Sequence, residues 1–154
     1  MSRAEKRRGA RLSAVQALYE MEIGGRGVIE AMSEFEAFWI GKEIDEVELP
    51  EAEIAFFRDL LGGVVREQRM VDRAVDEVLA SGWPLKRVEA VVRAVLRAGC
   101  YELAFRKDVP ARAVISEYVA VARAFYEGEE IGMVNAVMDR LARDFRADEF
   151  DPAA

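Results

Sequence analysis

The stretch that decides the fold is VEAVVRAVLRAGCYELAF, residues 88–105. Its apolar residues recur three and four positions apart, which places them on one side of an α-helix. They are Val88, Val91, Val92, Val95, Leu96, Gly99, Cys100 and Leu103. Three basic residues and a tyrosine follow a second stripe: Lys86, Arg93, Arg97 and Tyr101. The pattern therefore predicts a helix with one face for a core and another for solvent or a partner.

The same periodicity extends over the rest of the chain and predicts an all-α fold. Further helices are expected over about 10–23, 28–40, 50–79, from Pro110 to Phe125, and 130–145. The third of these is one long helix or two that meet at Gly62-Gly63. An irregular acidic loop is expected over residues 42–49. No alternating strand pattern of useful length occurs, and the short links favour antiparallel neighbours.

The predicted organisation is one helical domain with a basic arm and a polar tail. Residues 1–9 lack apolar anchors, so we expect a flexible arm. Residues 10–146 form the domain, and the break at Gly82-Trp83-Pro84 divides it into halves of about three helices, 10–82 and 83–146. Residues 147–154 are expected to fray.

Composition excludes several classes of protein. The 154 residues are 52% apolar and 33% charged, which is typical of a globular helical chain and not of a disordered one. No apolar run approaches a membrane span, and the N-terminus lacks the apolar core of a signal peptide, so we expect a cytoplasmic protein.

Cys100 is the single cysteine and lies on the apolar stripe, which predicts a buried, inert thiol. Histidine is absent, and with it His-based catalysis and His metal ligands. We predict neither an enzyme nor a cofactor or metal site.

Charge is unevenly distributed along the chain. The net charge is −7, yet residues 1–11 contain five basic residues and one glutamate. Arginine binds phosphates through forked hydrogen bonds and stacks on bases, so this segment is a candidate RNA contact. The competing interpretation is a solvated, charged terminus.

Several short motifs, read in order, resemble a known family. They are RRGAR (7–11), AVQALY (14–19), FRDLLGGV (57–64), AVLR (94–97), YEL (101–103), DVP (108–110) and VNAVMD (134–139). This series resembles the NusB family of bacterial transcription antitermination factors over nearly the whole chain. Each motif alone is weak, and their order and spacing make the resemblance specific.

The resemblance implies a fold of two antiparallel three-helix bundles packed together in one domain. It also implies a function in transcription of ribosomal RNA. Family members bind the boxA element of leader RNA together with NusE, which is also a small-subunit ribosomal protein. The pair helps to assemble an antitermination complex on RNA polymerase. The resemblance leaves two oligomeric states open, monomer and homodimer.

Site residues are carried over by position. Arg7, Arg8 and Arg11 match the arginine-rich RNA-binding segment, in which Gly9 stands where some members have another arginine. A second RNA-contacting region, at the turn between the last two helices, is matched by Phe125, Glu129 and Met133. Met133 replaces a phenylalanine that is common there. Phe125 also lies on an apolar stripe, so core packing is the alternative for it, and Tyr126 is expected to be the freer ring.

Contacts with NusE are implied for three residues. Tyr19 and the start of the fourth helix match the region where family members meet this partner. Lys86 and Val92 occupy places where some members carry acidic residues. Core packing is the competing interpretation for Tyr19.

Two other functions remain open at the level of sequence. Some RNA methyltransferases carry a NusB-like regulatory domain, but that function would require a catalytic domain beyond Ala154. The other alternative is a helical protein-interaction module with no RNA role.

Overall fold

The computed structural model describes residues 2–44, 47–79 and 88–150. In these ranges the regular secondary structure is helical apart from two strands of two residues each, which confirms the all-α fold class. The helices are α1 (Arg3–Gly24), α2 (Val28–Glu34), α3 (Ile54–Arg66), α4 (Gln68–Leu79), α5 (Ala90–Phe105), α6 (Ala111–Phe125), α7 (Glu129–Phe145) and α8 (Ala147–Phe150). No helix within the described ranges combines the length and apolar character that a membrane crossing needs.

The chain divides into two compact units, Met1–Arg66 and Glu67–Ala154. In the first unit, α1 packs chiefly against α3, and α2 also contacts both of these helices. A π-helical turn, Phe35–Trp39, extends α2. The Phe35 ring lies 6.2 Å from that of Phe57 on α3, and both are buried. The interior of this unit is thus built from the apolar stripes of its helices.

The first helix begins at Arg3, so the prediction of a flexible arm over residues 1–9 was wrong. Ser2 caps the helix, because its Oγ accepts a hydrogen bond of 3.1 Å from the Glu5 amide. One turn later the Lys6 carbonyl accepts a 3.0 Å hydrogen bond from the amide of Glu53. The segment lacks apolar anchors, as predicted. A cap and a backbone contact, neither of which follows from periodicity, order it instead.

Gly9 lies where α1 meets the segment before α3. It is buried, and a Cβ at this position would overlap the carbonyl oxygen of Glu51. The neighbouring atom belongs to the backbone, so it cannot move aside as a flexible side chain would. Gly9 is therefore required for the close approach of two backbones. The further arginine that some family members carry at this position would not fit here.

Two predicted boundaries in this region were also wrong. The third helix starts at Ile54 and not at Pro50, because residues 50–53 run alongside α1 before the helix begins. The break between the third and fourth helices falls at Glu67, and Gly62-Gly63 continue within α3. In the segment expected to be an irregular loop, strands β1 (Glu43–Ile44) and β2 (Val47–Glu48) pair antiparallel.

The second unit is organised around α5, the helix predicted from the opening stretch. It contacts α4, α6 and α7. Cys100 on α5 is buried, which confirms its prediction, and burial raises the pKa of its thiol to about 12. Gly99 lets α7 approach, since a Cβ there would lie 2.5 Å from Sδ of Met138. Tyr101 was predicted on the outer stripe, but it is buried and its ring lies 5.1 Å from that of Phe105.

Helix α4 belongs to the second unit, whereas the predicted halves placed its residues in the first. Val71 of α4 is buried, and its carbonyl lies 4.0 Å from Sγ of Cys100. Asp72 accepts two hydrogen bonds from Arg97 of α5, at 2.7 and 3.1 Å. The predicted break at Gly82-Trp83-Pro84 lies outside the described residues.

The end of the chain is ordered by Arg146, although a frayed tail was predicted from residue 147. Its guanidinium is 2% exposed and donates to the carbonyls of Leu103 at 2.7 Å, Val109 at 2.9 Å and Arg106 at 2.9 Å. These carbonyls belong to the last turn of α5 and the loop after it, where the helix supplies no further amide groups as hydrogen-bond donors.

Glu149 of α8 completes this arrangement. It accepts a 2.9 Å hydrogen bond from the Ala111 amide and a 2.6 Å one from Arg146. The hydrogen bond from the Ala111 amide and then that from Arg146 hold the pKa of this carboxyl below its usual value. The predicted fraying was therefore wrong for residues 147–150, and residues 151–154 lie outside the described residues.

Replacing Gly9 by alanine should destabilise the protein by about 1–3 kcal/mol, the usual cost of forcing extra atoms into a packed site. Urea unfolding followed by circular dichroism measures this. Gly132→Ala is the matched control, because Gly132 lies in α7 and nothing within 4 Å opposes a Cβ there. The control should gain roughly 0.5–1 kcal/mol from helix propensity. Equal stability changes in the two variants would contradict the close approach.

Arg146→Met should lower the free energy of unfolding by roughly 3–5 kcal/mol, since it leaves buried carbonyls without a donor. Arg140→Met is the control, because the Arg140 side chain is exposed and pairs with Asp144 on its own helix. The control should change stability by about 0.5 kcal/mol or less. Thermal and chemical unfolding both report the difference, and a loss at Arg146 no larger than at Arg140 would refute the anchoring role.

Candidate nucleic-acid interface

The basic segment predicted to bind RNA forms the first turns of α1. Arg7 and Arg11 are one turn apart and share a face of the helix, with Arg3 one turn before them. The side chain of Arg7 is 14% exposed, and Arg11 as a residue is 4% exposed. Arg8 points away from this face and is exposed, as is Lys6. The segment thus presents a mixture of positioned and solvated basic groups.

An aromatic ring positions the two inner arginines. The guanidinium carbon of Arg7 lies 4.5 Å from the ring centroid of Phe56, and that of Arg11 lies 5.0 Å from it. Phe56 itself is 1% exposed, so it is a fixed part of α3. Cation–π attraction of this kind is worth more when the cation is shielded from water. The two guanidinium groups are therefore held in place before any ligand arrives.

A carboxylate adds a second restraint on the same group. Nε of Arg7 donates to Oε2 of Glu53 at 3.2 Å, and Nε of Arg3 lies 3.5 Å from the same oxygen. Sequence reasoning identified Arg7 but missed Phe56 and Glu53. Phe56 does carry a signal in the sequence, since it is apolar and lies four residues before Leu60, on the same face of the helix.

The second predicted region lies at the turn between α6 and α7, in the second unit. Phe125, the last residue of α6, is 36% exposed, so the alternative of core packing does not describe it. Gly128 makes the turn with φ of 90°, and Glu129, which begins α7, is exposed. Met133 lies one turn further along α7 and is half-buried. The structure therefore collects the three predicted residues at one end of the α6–α7 pair.

Tyr126 was expected to be the freer ring of this region, and that expectation was wrong. Its hydroxyl donates to Oε2 of Glu89 at 2.9 Å, and the residue is half-buried. Phe125, which has no polar group to satisfy, is the ring that remains exposed. A base could therefore stack on Phe125 without breaking a hydrogen bond.

The three residues predicted to meet a protein partner differ in their surroundings. Tyr19 is half-buried on α1, which leaves part of its ring accessible. Val92 is 2% exposed, so the structure places it in the interior and offers no side chain there to a partner. The periodicity of the opening stretch had already put Val92 on the core stripe. Lys86 lies outside the described residues.

Comparisons with known proteins identify the family of the chain. The NusB family profile matches residues 8–143. The transcription antitermination protein NusB of Rhodopseudomonas palustris strain TIE-1 is 60% identical over 148 residues, which cover 96% of this chain and 85% of that protein. NusB of T. maritima superimposes with a TM-score of 0.73 at 26% identity and covers 93% of this chain and 95% of its own.

A complex of NusB and NusE with double-stranded RNA also contains this fold. It superimposes with a TM-score of 0.73 at 23% identity, and covers 90% of this chain and 96% of that one. The family profile spans most of the chain, and the Rhodopseudomonas relative matches nearly all of it. The chain therefore belongs to the NusB family of transcription antitermination proteins.

Proposed function

We propose that the chain binds boxA RNA of ribosomal RNA operon leaders together with NusE. In that complex it helps RNA polymerase to avoid premature termination. The observation that carries the proposal is the basic start of α1, where Arg7 and Arg11 are held on the ring of Phe56 beside the exposed Arg8. Family membership and the NusB–NusE complex with double-stranded RNA, which has the same fold, support it.

The arrangement of α1 suits a phosphate backbone better than a single small anion. Exposed basic groups at Lys6 and Arg8 attract phosphates over a distance, whereas Arg7, whose side chain is 14% exposed, supplies a guanidinium group in a fixed orientation. Arg11 is only 4% exposed, so we assign it to packing on Phe56 and not to an open phosphate contact. A fixed guanidinium loses less conformational freedom when it binds than a solvated one does. This segment therefore combines attraction with an ordered contact.

The turn between α6 and α7, in the second unit, is a separate proposed RNA contact. Phe125 offers an exposed ring for base stacking, and Met133 offers a flexible apolar surface one helical turn from Glu129. Glu129 carries a negative charge and weakens the attraction for phosphate at this turn. We assign the stacking contact to Phe125 and a restraining effect to Glu129.

NusE is the proposed protein partner. The chain has a net charge of −7 although its first eleven residues are basic, so the remainder is strongly acidic. Such a surface attracts a basic partner such as a ribosomal protein, because complementary fields steer association. Tyr19 is the described residue of the predicted set that keeps an accessible ring. We therefore assign the contact with NusE to Tyr19 and leave Val92 to the core.

The proposed activity is binding and assembly, not catalysis, and it takes place in the cytoplasm. The relative of 60% identity is matched over 85% of its length and carries the antitermination name, which favours this function over a methyltransferase regulatory domain. A helical module without an RNA role is separated from the proposal by the RNA measurements below.

Replacing Arg7, Arg8 and Arg11 together by alanine should abolish preferential binding to boxA RNA. Fluorescence anisotropy of labelled boxA RNA and of a scrambled RNA, in a salt series with and without NusE, measures this. Arg8→Ala alone should reduce the salt slope by about 0.7, the value for one phosphate contact on a single strand. Arg140→Ala on α7 is the matched control and should bind as the wild type does. Equal binding of both RNAs by the wild type, even with NusE, would rule out the RNA role.

Tyr19→Ala should weaken the binding of NusE roughly tenfold, since buried tyrosines at interfaces commonly contribute about 1–2 kcal/mol. Isothermal titration calorimetry with purified NusE measures the affinity. Tyr19→Phe keeps the ring and should retain most of the binding. A thermal melt of each variant shows whether core packing is affected. If Tyr19→Ala lowers only the melting temperature and leaves the affinity intact, Tyr19 belongs to the core.

A further inference from the structure

The geometry points to Glu53 as an internal competitor for RNA phosphate at the start of α1. In this role the carboxylate forms ion pairs with the arginines that RNA phosphates would contact, and so lowers the affinity for RNA. The inference rests on the proposed function, because it assumes that Arg7 contacts RNA. It adds a residue that lies on a different segment of the chain from the arginine motif and carries the opposite charge.

The contacts of Glu53 place one carboxylate oxygen between two basic groups. Oε2 lies 3.2 Å from Nε of Arg7 and 3.5 Å from Nε of Arg3. The Glu53 side chain is 28% exposed and that of Arg7 is 14% exposed, so water screens the Arg7 pair less than a fully solvated one. A phosphate oxygen that approached Arg7 from solvent would meet a donor that is already engaged.

The backbone fixes this carboxylate at the start of α1. The amide of Glu53 donates to the carbonyl of Lys6 at 3.0 Å. The carbonyl of Glu53 in turn accepts a 3.0 Å hydrogen bond from the amide of Phe57, in the first turn of α3. Glu53 is thus attached by its main chain both to α1 and to α3. These two hydrogen bonds keep the backbone of Glu53, and with it the origin of its side chain, next to Arg7.

The contact between Arg7 and Phe56 allows two possible roles of the Glu53 carboxylate to be distinguished: competing with RNA for Arg7, and positioning Arg7. The guanidinium of Arg7 lies over this ring at 4.5 Å, and that contact does not depend on Glu53. Loss of the carboxylate therefore keeps this ring contact of Arg7 and removes one competitor for RNA phosphate. If Glu53 instead ordered Arg7 for RNA, the same change would weaken binding. The two roles predict effects of opposite sign.

The test is the affinity of Glu53→Gln, in the full-length chain, for labelled boxA RNA across a salt series. An exposed or partly exposed ion pair is worth little, so we expect a gain of about two- to fivefold in affinity. The salt slope should also become steeper by about 0.7 as Arg7 becomes available to one more phosphate. Glu51→Gln is the matched control, because Glu51 is exposed, is two residues away and loses the same charge. It should gain less than Glu53→Gln.

A double-mutant comparison assigns the effect to the arginines. In an Arg3→Ala/Arg7→Ala background, Glu53→Gln should have no more effect than Glu51→Gln, because the competed groups are absent. Circular dichroism of each variant checks that α1 remains helical. Glu53→Ala provides a second replacement, which removes the carboxylate without introducing an amide, and it should also bind more tightly than the wild type.

The outcomes separate this inference from the proposed function. Weaker binding by Glu53→Gln, or a gain no larger than that of Glu51→Gln, overturns the competitor role while the RNA site stands. Equal RNA affinity of the wild type and Arg7→Ala overturns the proposed contact itself. A gain that persists in the Arg3→Ala/Arg7→Ala background also overturns the competitor role, because it would act through other groups.

Discussion

The close approach of α1 to the segment before α3 is the constraint on which the first unit depends. Gly9 permits it, since any side chain would overlap the Glu51 carbonyl. Once the two backbones are this close, the amide of Glu53 reaches the carbonyl of Lys6, and Phe56 comes under the arginines of α1. A single position without a side chain thus allows the polar and aromatic contacts that order the start of the helix.

This constraint changes the physical description of the arginine-rich segment. A flexible basic arm would lose backbone and side-chain entropy when it binds RNA, which opposes binding. In the structure much of that loss has already occurred on folding, because α1 is capped at Ser2 and its inner arginines lie on Phe56. The segment is therefore ordered before it binds any ligand, and on the proposed function its affinity for RNA depends on charge more than on ordering.

Periodicity predicted the helices and most of the core, because burial of an apolar stripe determines both. Periodicity failed where polar or backbone contacts determine whether a segment is ordered. The start of α1 depends on Ser2 and Glu53, and the end of the chain depends on Arg146, whose hydrogen bonds reach residues more than thirty-five positions away. Contacts of that range have no local pattern. The same holds at the site: the motif identified Arg7, but the contact of Arg7 with Phe56 depends on the packing of α1 against α3, which has no local pattern.

Acidic residues beside the proposed RNA contacts connect stability with function. The backbone of Glu53 helps to order α1, and we propose that its carboxylate, paired with Arg7, lowers the attraction of this segment for phosphate. Glu129 stands beside Phe125 at the α6–α7 turn, where a negative charge at the start of α7 is favourable to the helix dipole. In both places a carboxylate that benefits the fold opposes RNA. On the proposed function, these carboxylates lower the affinity of the chain alone for RNA. A second protein that adds its own RNA contacts then raises the affinity of the complex by a larger factor.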